Sequence, residues 1–266
     1  LQEQVHAYVL DAERRWNLRL KNGIDIRLPE ADPAQAIETV IALDRDQANY
    51  LVNVLRLGEG QGFALFNGRD GEFSARLSGG TRKAPGVAVG ARIRPQPPGS
   101  DLWYLFAPLK AARLDYMVQK AVEMGAGRLM PVMTHRTNAS RVNLERMRAN
   151  VIEAAEQCGI LAVPEVAETT PLARALDGWP AGRTLVFCDE DAPLADPVAA
   201  LRALPRGTPL AVLIGPEGGF DPAERARLIA HPGHVRLSLG PRILRADTAA
   251  VAALTLVQAV CGDIGG

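Results

Sequence analysis

The chain has 266 residues, enough for one large domain or two ordinary ones, and 47% of them are hydrophobic, which fits a packed globular protein rather than a disordered one. Thirty Lys and Arg balance thirty Asp and Glu, so net charge by itself gives no sign of a polyanionic partner. No run of about 18 apolar residues occurs, so no membrane span is expected, and Leu1–Leu20 carries three arginines where a secretory signal has an apolar run.

The distribution of charge says more than its sum. Residues 1–50 hold 6 basic against 9 acidic side chains, residues 51–148 hold 15 against 7, and residues 149–266 hold 9 against 14. A basic middle between acidic ends is what a localised polyanion-binding face leaves in a sequence. Cys158, Cys188 and Cys261 are odd in number and far apart. That excludes a disulfide framework or a zinc site of paired cysteines and fits the reducing cytoplasm.

From about Asp44 a helix around Gln47–Arg56 precedes short strand-like runs at 63–66, 72–77 and 87–89. Asn67-Gly68 and Gly79-Gly80 separate them, as turns that need positive φ do, so a small β-barrel is predicted. Arg94-Pro-Gln-Pro-Pro-Gly-Ser100 reads as a linker, since proline fixes φ and removes donors. Beyond it strands and helices alternate: strands at 102–107, 129–133, 184–188, 210–214 and 235–239, with helices near 114–122, 144–158, 197–204, from Asp221, and at 249–260. That alternation predicts an α/β domain with a largely parallel sheet covered on both faces.

Ligands of such sheets bind beyond the carboxyl ends of the strands. Two loops leave strands there: Gly215-Pro-Glu-Gly-Gly-Phe220, after the apolar strand ending at Ile214, and Gly240-Pro-Arg-Ile-Leu-Arg245, after Leu239. Neither has phosphate-loop spacing or the dinucleotide Gly-x-Gly-x-x-Gly pattern. His231 and His234 flank Pro-Gly and read as a turn, not a metal pair.

Leu213-Ile-Gly-Pro-Glu-Gly-Gly-Phe220 together with Leu239-Gly-Pro-Arg-Ile-Leu-Arg-Ala-Asp-Thr-Ala249 resembles the RsmE family of SPOUT methyltransferases. Gln119-Lys-Ala-Val-Glu-Met-Gly125, Glu156-Gln-Cys-Gly159 with Val163-Pro164, and Tyr50-Leu-Val-Asn-Val-Leu-Arg56 extend the resemblance from about residue 44 to the C-terminus. It implies methylation of uridine N3 in small-subunit ribosomal RNA with S-adenosylmethionine, a PUA-like RNA-binding barrel over 44–97, and a SPOUT domain over 98–266 with a trefoil knot. It also implies a homodimer whose partner completes the site, with free RNA or the assembled small subunit as substrate. Carried over by motif, Ile214, Gly215, Glu217, Gly218, Leu239, Gly240, Ile243 and Leu244 would line the cofactor pocket.

The N3 proton of uridine must leave before the nitrogen can attack a sulfonium methyl. Arg245 or Arg242 could stabilise the developing uracil anion, and Asp247 could take the proton or orient the arginine; Asp247-Thr248 could equally cap the last helix. No metal is required, because the sulfonium supplies its own leaving group. Arg56, Arg69, Arg82, Lys83, Lys110 and Lys120 are candidate phosphate contacts, which position RNA without reading its sequence. The family usually has glutamate at Asp247 and arginine at Ile160.

Residues 1–43 depart from the family. Glu13-Arg-Arg-Trp-Asn-Leu-Arg-Leu-Lys-Asn-Gly-Ile-Asp-Ile-Arg-Leu-Pro29 is similar to part of the periplasmic domain of the cell-division protein FtsQ, a two-stranded hairpin turning at Asn22-Gly23. Another RNA target, a non-catalytic RNA-binding role or a division-related role stays open; the two intact glycine loops favour the enzyme. Deleting residues 1–40 is expected to leave S-adenosylmethionine binding intact, and calorimetric loss of that binding would refute the separation.

Overall fold

A computed structural model of the chain describes residues 6–7, 16–19, 25–28, 39–42, 48–81, 84–139, 141–192 and 196–264. It divides into two compact units, Leu1–Pro98 with Ala155–Val163, and Gly99–Ala154 with Pro164–Gly266.

In the first unit the strands are β1 (His6–Ala7), β2 (Trp16–Arg19), β3 (Asp25–Leu28), β4 (Thr39–Ala42), β5 (Gly62–Phe66), β6 (Glu72–Thr81) and β7 (Ala84–Arg94). Five of them form a sheet in the order β1-β5-β6-β7-β4, antiparallel except for the β1–β5 pair. Alternation drives it: Phe63 and Leu65 on β5, and Phe73, Ala75 and Leu77 on β6, turn inward to one core with Ala48, Leu51 and Val87. At the β5–β6 turn the Asn67 side-chain oxygen accepts from the backbone N–H of Arg69 and Asp70 (3.0 and 2.8 Å). Gly71 closes that turn at φ +97°, where a Cβ would overlap the Arg94 carbonyl oxygen. β2 and β3 pair antiparallel from Arg19↔Asp25 to Trp16↔Leu28, while the expected turn at Asn22-Gly23 lies outside the described residues.

The helix expected over 47–56 is a shorter piece, mostly a π-helical turn over Tyr50–Val54. The reason is local: Asn49, Val52, Asn53 and Val54 are weak helix formers, and Asn53 Nδ2 donates to Asn49 Oδ1 (2.7 Å). Arg56 follows at φ +57°, a left-handed conformation unusual for a residue other than glycine.

The second unit runs β8 (Trp103–Phe106), α1 (Ala111–Glu123), β9 (Arg128–Met133), α2 (Leu144–Cys158, its last turn grouped with the first unit), β10 (Glu165–Val166), β11 (Thr170–Pro171), α3 (Leu172–Asp177), β12 (Thr184–Cys188), α4 (Pro197–Arg202), β13 (Leu210–Ile214), α5 (Pro222–Ile229), β14 (His234–Leu237) and α6 (Ala246–Cys261). Every described pairing in its sheet is parallel, in the order β10-β9-β8-β13-β12-β14, with β11 also on β9. β13 is buried along its whole length, as an unbroken Leu-Ala-Val-Leu-Ile run requires. On one face Leu105, Phe187, Ala211 and Leu213 pack with Leu172 and Leu176 of α3 and Leu228 of α5. α6 packs against β13, α1 and α4.

At the amino ends of the strands, Arg183 donates to the Asp101 and Leu210 carbonyl oxygens (2.7 and 2.9 Å) and its guanidinium lies 4.0 Å from the Trp103 ring centroid. The strand expected at 235–239 covers His234–Leu237, and His234 Nδ1 donates to the His231 carbonyl (2.8 Å), closing the Pro-Gly turn.

Tyr104, in the middle of the sheet, is fully buried, and its hydroxyl has no hydrogen-bond partner among the described residues. Burial first, then the neighbouring Cys188 and Asp247, raise that phenol well above its ordinary range. An unpartnered buried hydroxyl carries a desolvation cost, so Tyr104→Phe is expected to leave the melting temperature unchanged or raise stability by up to about 1 kcal/mol. A fall of several degrees on thermal unfolding would show that the hydroxyl is satisfied.

Candidate active site

β12 lies between β13 and β14, with Phe187 paired to both Leu213 and Arg236, and Cys188 to Leu237. The chain therefore leaves three neighbouring strands at one edge. Their exits enclose a cleft of about 270 Å³ lined by Ile214, Gly215, Glu217, Ile243, Leu244 and Arg245, with the first turn of α6 at its end.

The loop after β13 is shaped by its glycines. A Cβ on Gly215 would come within 2.9 Å of the Phe220 ring, and Gly219, at φ +69°, donates its N–H to the Pro216 carbonyl (2.9 Å). Phe220 meets Phe187 edge-on, with ring centroids 6.5 Å apart. The loop ends in a capping box at α5, where Asp221 accepts from the Glu224 N–H and Glu224 accepts from the Asp221 N–H. Two arginines hold it from outside: Arg113 of α1 pairs with Glu217, and Arg136 Nη1 donates to the Gly218 carbonyl (2.7 Å).

Gly218, Leu239 and Gly240 lie on the same two loops but not among the residues lining the cleft. Gly240 takes φ +96°. Ile243 is 89% exposed although it lines the cleft, a large aliphatic side chain left facing solvent. Arg242 is exposed and outside the lining, so the structure brings Arg245 to the cleft and leaves Arg242 off it. The expected capping by Asp247-Thr248 is corrected. Arg245 occupies the N-cap of α6, and Asp247 sits in the first turn, where its carboxylate accepts the Thr248 N–H (2.9 Å). The helix begins at Ala246, three residues before the expected start at 249, and Ala246 is buried.

The exit of β12 carries no glycine and escaped the sequence reading. Cys188, Asp189, Glu190 and Asp191 all line the cleft. Asp189, its side chain 3% exposed, accepts from Arg225 Nε (3.1 Å) and from Arg236 Nε (3.0 Å), with the charge of Arg236 Nη2 2.8 Å away. Burial alone would raise its pKa. Hydrogen bonds from Arg225 and Arg236, then from the Asp191 N–H, outweigh burial and hold the carboxyl below its ordinary range. Burial and the neighbouring Asp189 push the Cys188 thiol up to about 12, so it stays protonated at neutral pH and is no nucleophile.

The candidate RNA contacts scatter. Arg56 lines a second cleft, of about 590 Å³, within the first unit, beside Asn53, Ser78 and Thr81. Arg69 pairs with Asp70, and Lys120 pairs with Glu123 and lies over the Tyr116 ring. Lys110 is exposed at the N-cap of α1, while Arg82 and Lys83 lie outside the described residues. Among the described residues no group of His, Cys, Asp and Glu could hold a metal ion, and no helix is long and apolar enough to cross a membrane.

A parallel α/β domain with its cleft at the carboxyl edge thus follows a small, mostly antiparallel sheet. Family models described as an RNA methyltransferase domain and an RNA methyltransferase PUA domain match residues 96–258 and 43–85. The chain is 32% identical over 236 residues to the ribosomal RNA small subunit methyltransferase E of Synechocystis, covering 86% of this chain and 76% of that protein. It belongs to the ribosomal RNA small subunit methyltransferase E family. A solved Legionella pneumophila structure, described as a methyltransferase in complex with SAM, is 25% identical with a TM-score of 0.76, over 98% of this chain and 99% of that one. The N-terminus resembles a second family: a model of the FtsQ/DivIB C-terminal region matches residues 1–59. Forty residues are 52% identical to Bradyrhizobium diazoefficiens FtsQ, 15% of this chain and 12% of that one.

The Asp189 cluster gives a signed pH prediction. Its folded pKa is depressed, so its stabilisation is present in full above the unfolded value of about 3.9 and is lost as pH falls through the lower folded value. Asp189→Asn removes the buried carboxylate that Arg225 and Arg236 share, leaving them only their weaker contacts with Asp191, and is expected to cost roughly 2–3 kcal/mol in chemical denaturation at neutral pH. The gap to the parent protein should narrow as the pH approaches about 3. A gap that stays constant across that range would rule out the carboxylate as its source.

Proposed function

We propose that the chain transfers a methyl group from S-adenosylmethionine to N3 of a uridine in small-subunit ribosomal RNA. One observation carries the reading: the two glycine loops of the family's motifs converge on a single cleft at the carboxyl edge of the parallel sheet. The residues suit the donor. Ile214, Ile243 and Leu244 offer apolar flanks for a purine, glycine turns let backbone amides approach, and carboxylates line the wall for a cation. Gly218, Leu239 and Gly240 stand outside the lining, and their part is to shape the two loops that carry it. Glu217 contributes through its backbone, because Arg113 holds its carboxylate.

When bound, the donor supplies an electrophilic methyl and a neutral thioether leaving group. The protein's share is to deprotonate and orient the base. Arg245, at the cleft and at the N-terminal end of α6 where the helix dipole is positive, stabilises the uracil anion. Asp247, in the first turn of the same helix, takes the N3 proton or orients Arg245. As N3 bonds to the methyl carbon, the carbon–sulfur bond breaks and its electron pair stays on sulfur. Arg242 has no place in this step.

The same proposal divides the chain into an atypical segment (1–43), a PUA-like RNA-gripping domain (44–97) and a knotted SPOUT domain (98–266). The PUA-domain match and the cleft beside Arg56 support an RNA grip by the second of these. The exposed Ile243 supports a homodimer in which a second copy covers it. The place of action is the cytoplasm, on free RNA or the assembled small subunit.

The test is transfer of labelled methyl from S-adenosylmethionine to small ribosomal subunits lacking the modification, followed by nucleoside analysis. N3-methyluridine is the expected product. Arg245→Ala should lower the rate by about 10²–10³-fold while donor binding persists. Full activity in that variant would remove Arg245 from the mechanism, and absence of any label would sink the enzymatic reading.

A further inference from the structure

We infer that Glu190 is the carboxylate by which the cleft distinguishes the cationic methyl donor from the neutral thioether that transfer leaves behind. The inference rests on the methyltransferase reading above and deepens it. Four carboxylates line the cleft: Asp189, Glu190, Asp191 and Glu217. Three of them face an arginine. Asp189 holds Arg225 and Arg236, Asp191 lies 3.7 Å from Arg225, and Glu217 pairs with Arg113. Glu190 has no hydrogen bond or ion pair among the described residues.

Its direction follows from its neighbour. Asp189 Oδ1 accepts the Asp191 N–H (3.1 Å) and the Asp189 carbonyl accepts the Ala192 N–H (3.0 Å), so the chain turns just past β12 and leaves Glu190 exposed on that turn. There Glu190 Oε1 lies against the loop turn, within 2.9 Å of where a Cβ on Gly219 would stand. Gly219, at φ +69°, leaves that space open.

S-adenosylmethionine carries positive charge at sulfur and at its amino group; S-adenosylhomocysteine keeps only the second. The two ligands thus differ by one unit of charge at the atom that reacts. A carboxylate already neutralised by arginine gains little from that charge. An uncompensated one gains more even where it is exposed, because no arginine already offsets its charge. Once the methyl has gone, Glu190 loses its partner, and the product lacks the attraction that helped hold the donor.

The experiment is calorimetric titration of S-adenosylmethionine and S-adenosylhomocysteine into the full chain and into Glu190→Gln. The variant should weaken donor binding by about fivefold and leave product binding unchanged, as expected for one partly solvated charge pair. Added salt should weaken donor binding in the parent protein and much less in the variant. Equal weakening of both ligands would overturn the inference, since Glu190 would then contact a part they share, such as the ribose hydroxyls. No change in either would overturn it as well. A parent protein that binds neither ligand would instead remove the cofactor reading itself, a result obtained without any variant.

Discussion

An all-parallel sheet sends every strand out at the same edge, and the site depends on that constraint. β13 is buried along its whole length, so its continuation can meet a ligand only past Ile214, and the same holds for β12 past Cys188. Because β12 pairs with both β13 and β14, loops far apart in sequence become neighbours without any long-range pairing of their own. The opposite edge has a different task. Arg183 there ties β12 to Asp101 and Leu210 through carbonyl acceptors and stacks on Trp103, which fixes the stagger of the strands. One edge is spent on register, which leaves the other free for chemistry.

Charge at the cleft is handled by the same economy. A carboxylate with 3% of its side chain exposed would ordinarily be protonated or expelled, yet Asp189 stays ionised because two arginines from α5 and β14 reach it. That bond set does more than satisfy Asp189. It fixes the turn after β12 to the helix that follows the glycine loop, so two walls of the cleft are tied to each other. Arg245, the cation that lines the cleft at the start of α6, stands outside that network. A reaction that converts a sulfonium into a thioether while a base becomes briefly anionic calls for a cation beside the base, and the dipole of α6 adds to the same sign.

The legible parts of this architecture are those where local sequence and tertiary role agree. Leu210–Ile214 could hardly be anything but a buried strand, and Asp221-Pro222 with Glu224 announces the start of α5 by cap chemistry that the structure reproduces bond for bond. Illegible were features set by strand order. Cys188-Asp-Glu-Asp191 has no glycine and no motif, and nothing along the chain says that β12 lies between the two strands whose loops do. Its one signal was three consecutive acidic residues directly after an apolar strand, which only a neighbouring arginine pair makes meaningful. Arg242 and Arg245 look equivalent in sequence, yet α6 starts at Ala246, which keeps Arg245 at the cleft and leaves Arg242 on the exposed loop.

The stretch before residue 43 completes the sheet of the first unit. β5, β6 and β7 form a meander with two open edges, and such edges invite pairing with other chains. Both are covered from the region before residue 43: β1 lies parallel on β5 at Ala64 and Leu65, and β4 lies antiparallel on β7 from Gly86 to Val89. Covering an edge asks only for extended backbone with free N–H and C=O groups, since the bonds are made by the main chain and tolerate most side chains. A sequence resembling FtsQ can therefore meet that requirement as well as any other β-forming segment. The cradle after β13 is less forgiving, because a Cβ on Gly215 would strike the Phe220 ring. Where the main chain does the binding the sequence is free to differ, and where a missing side chain shapes the cavity it is not.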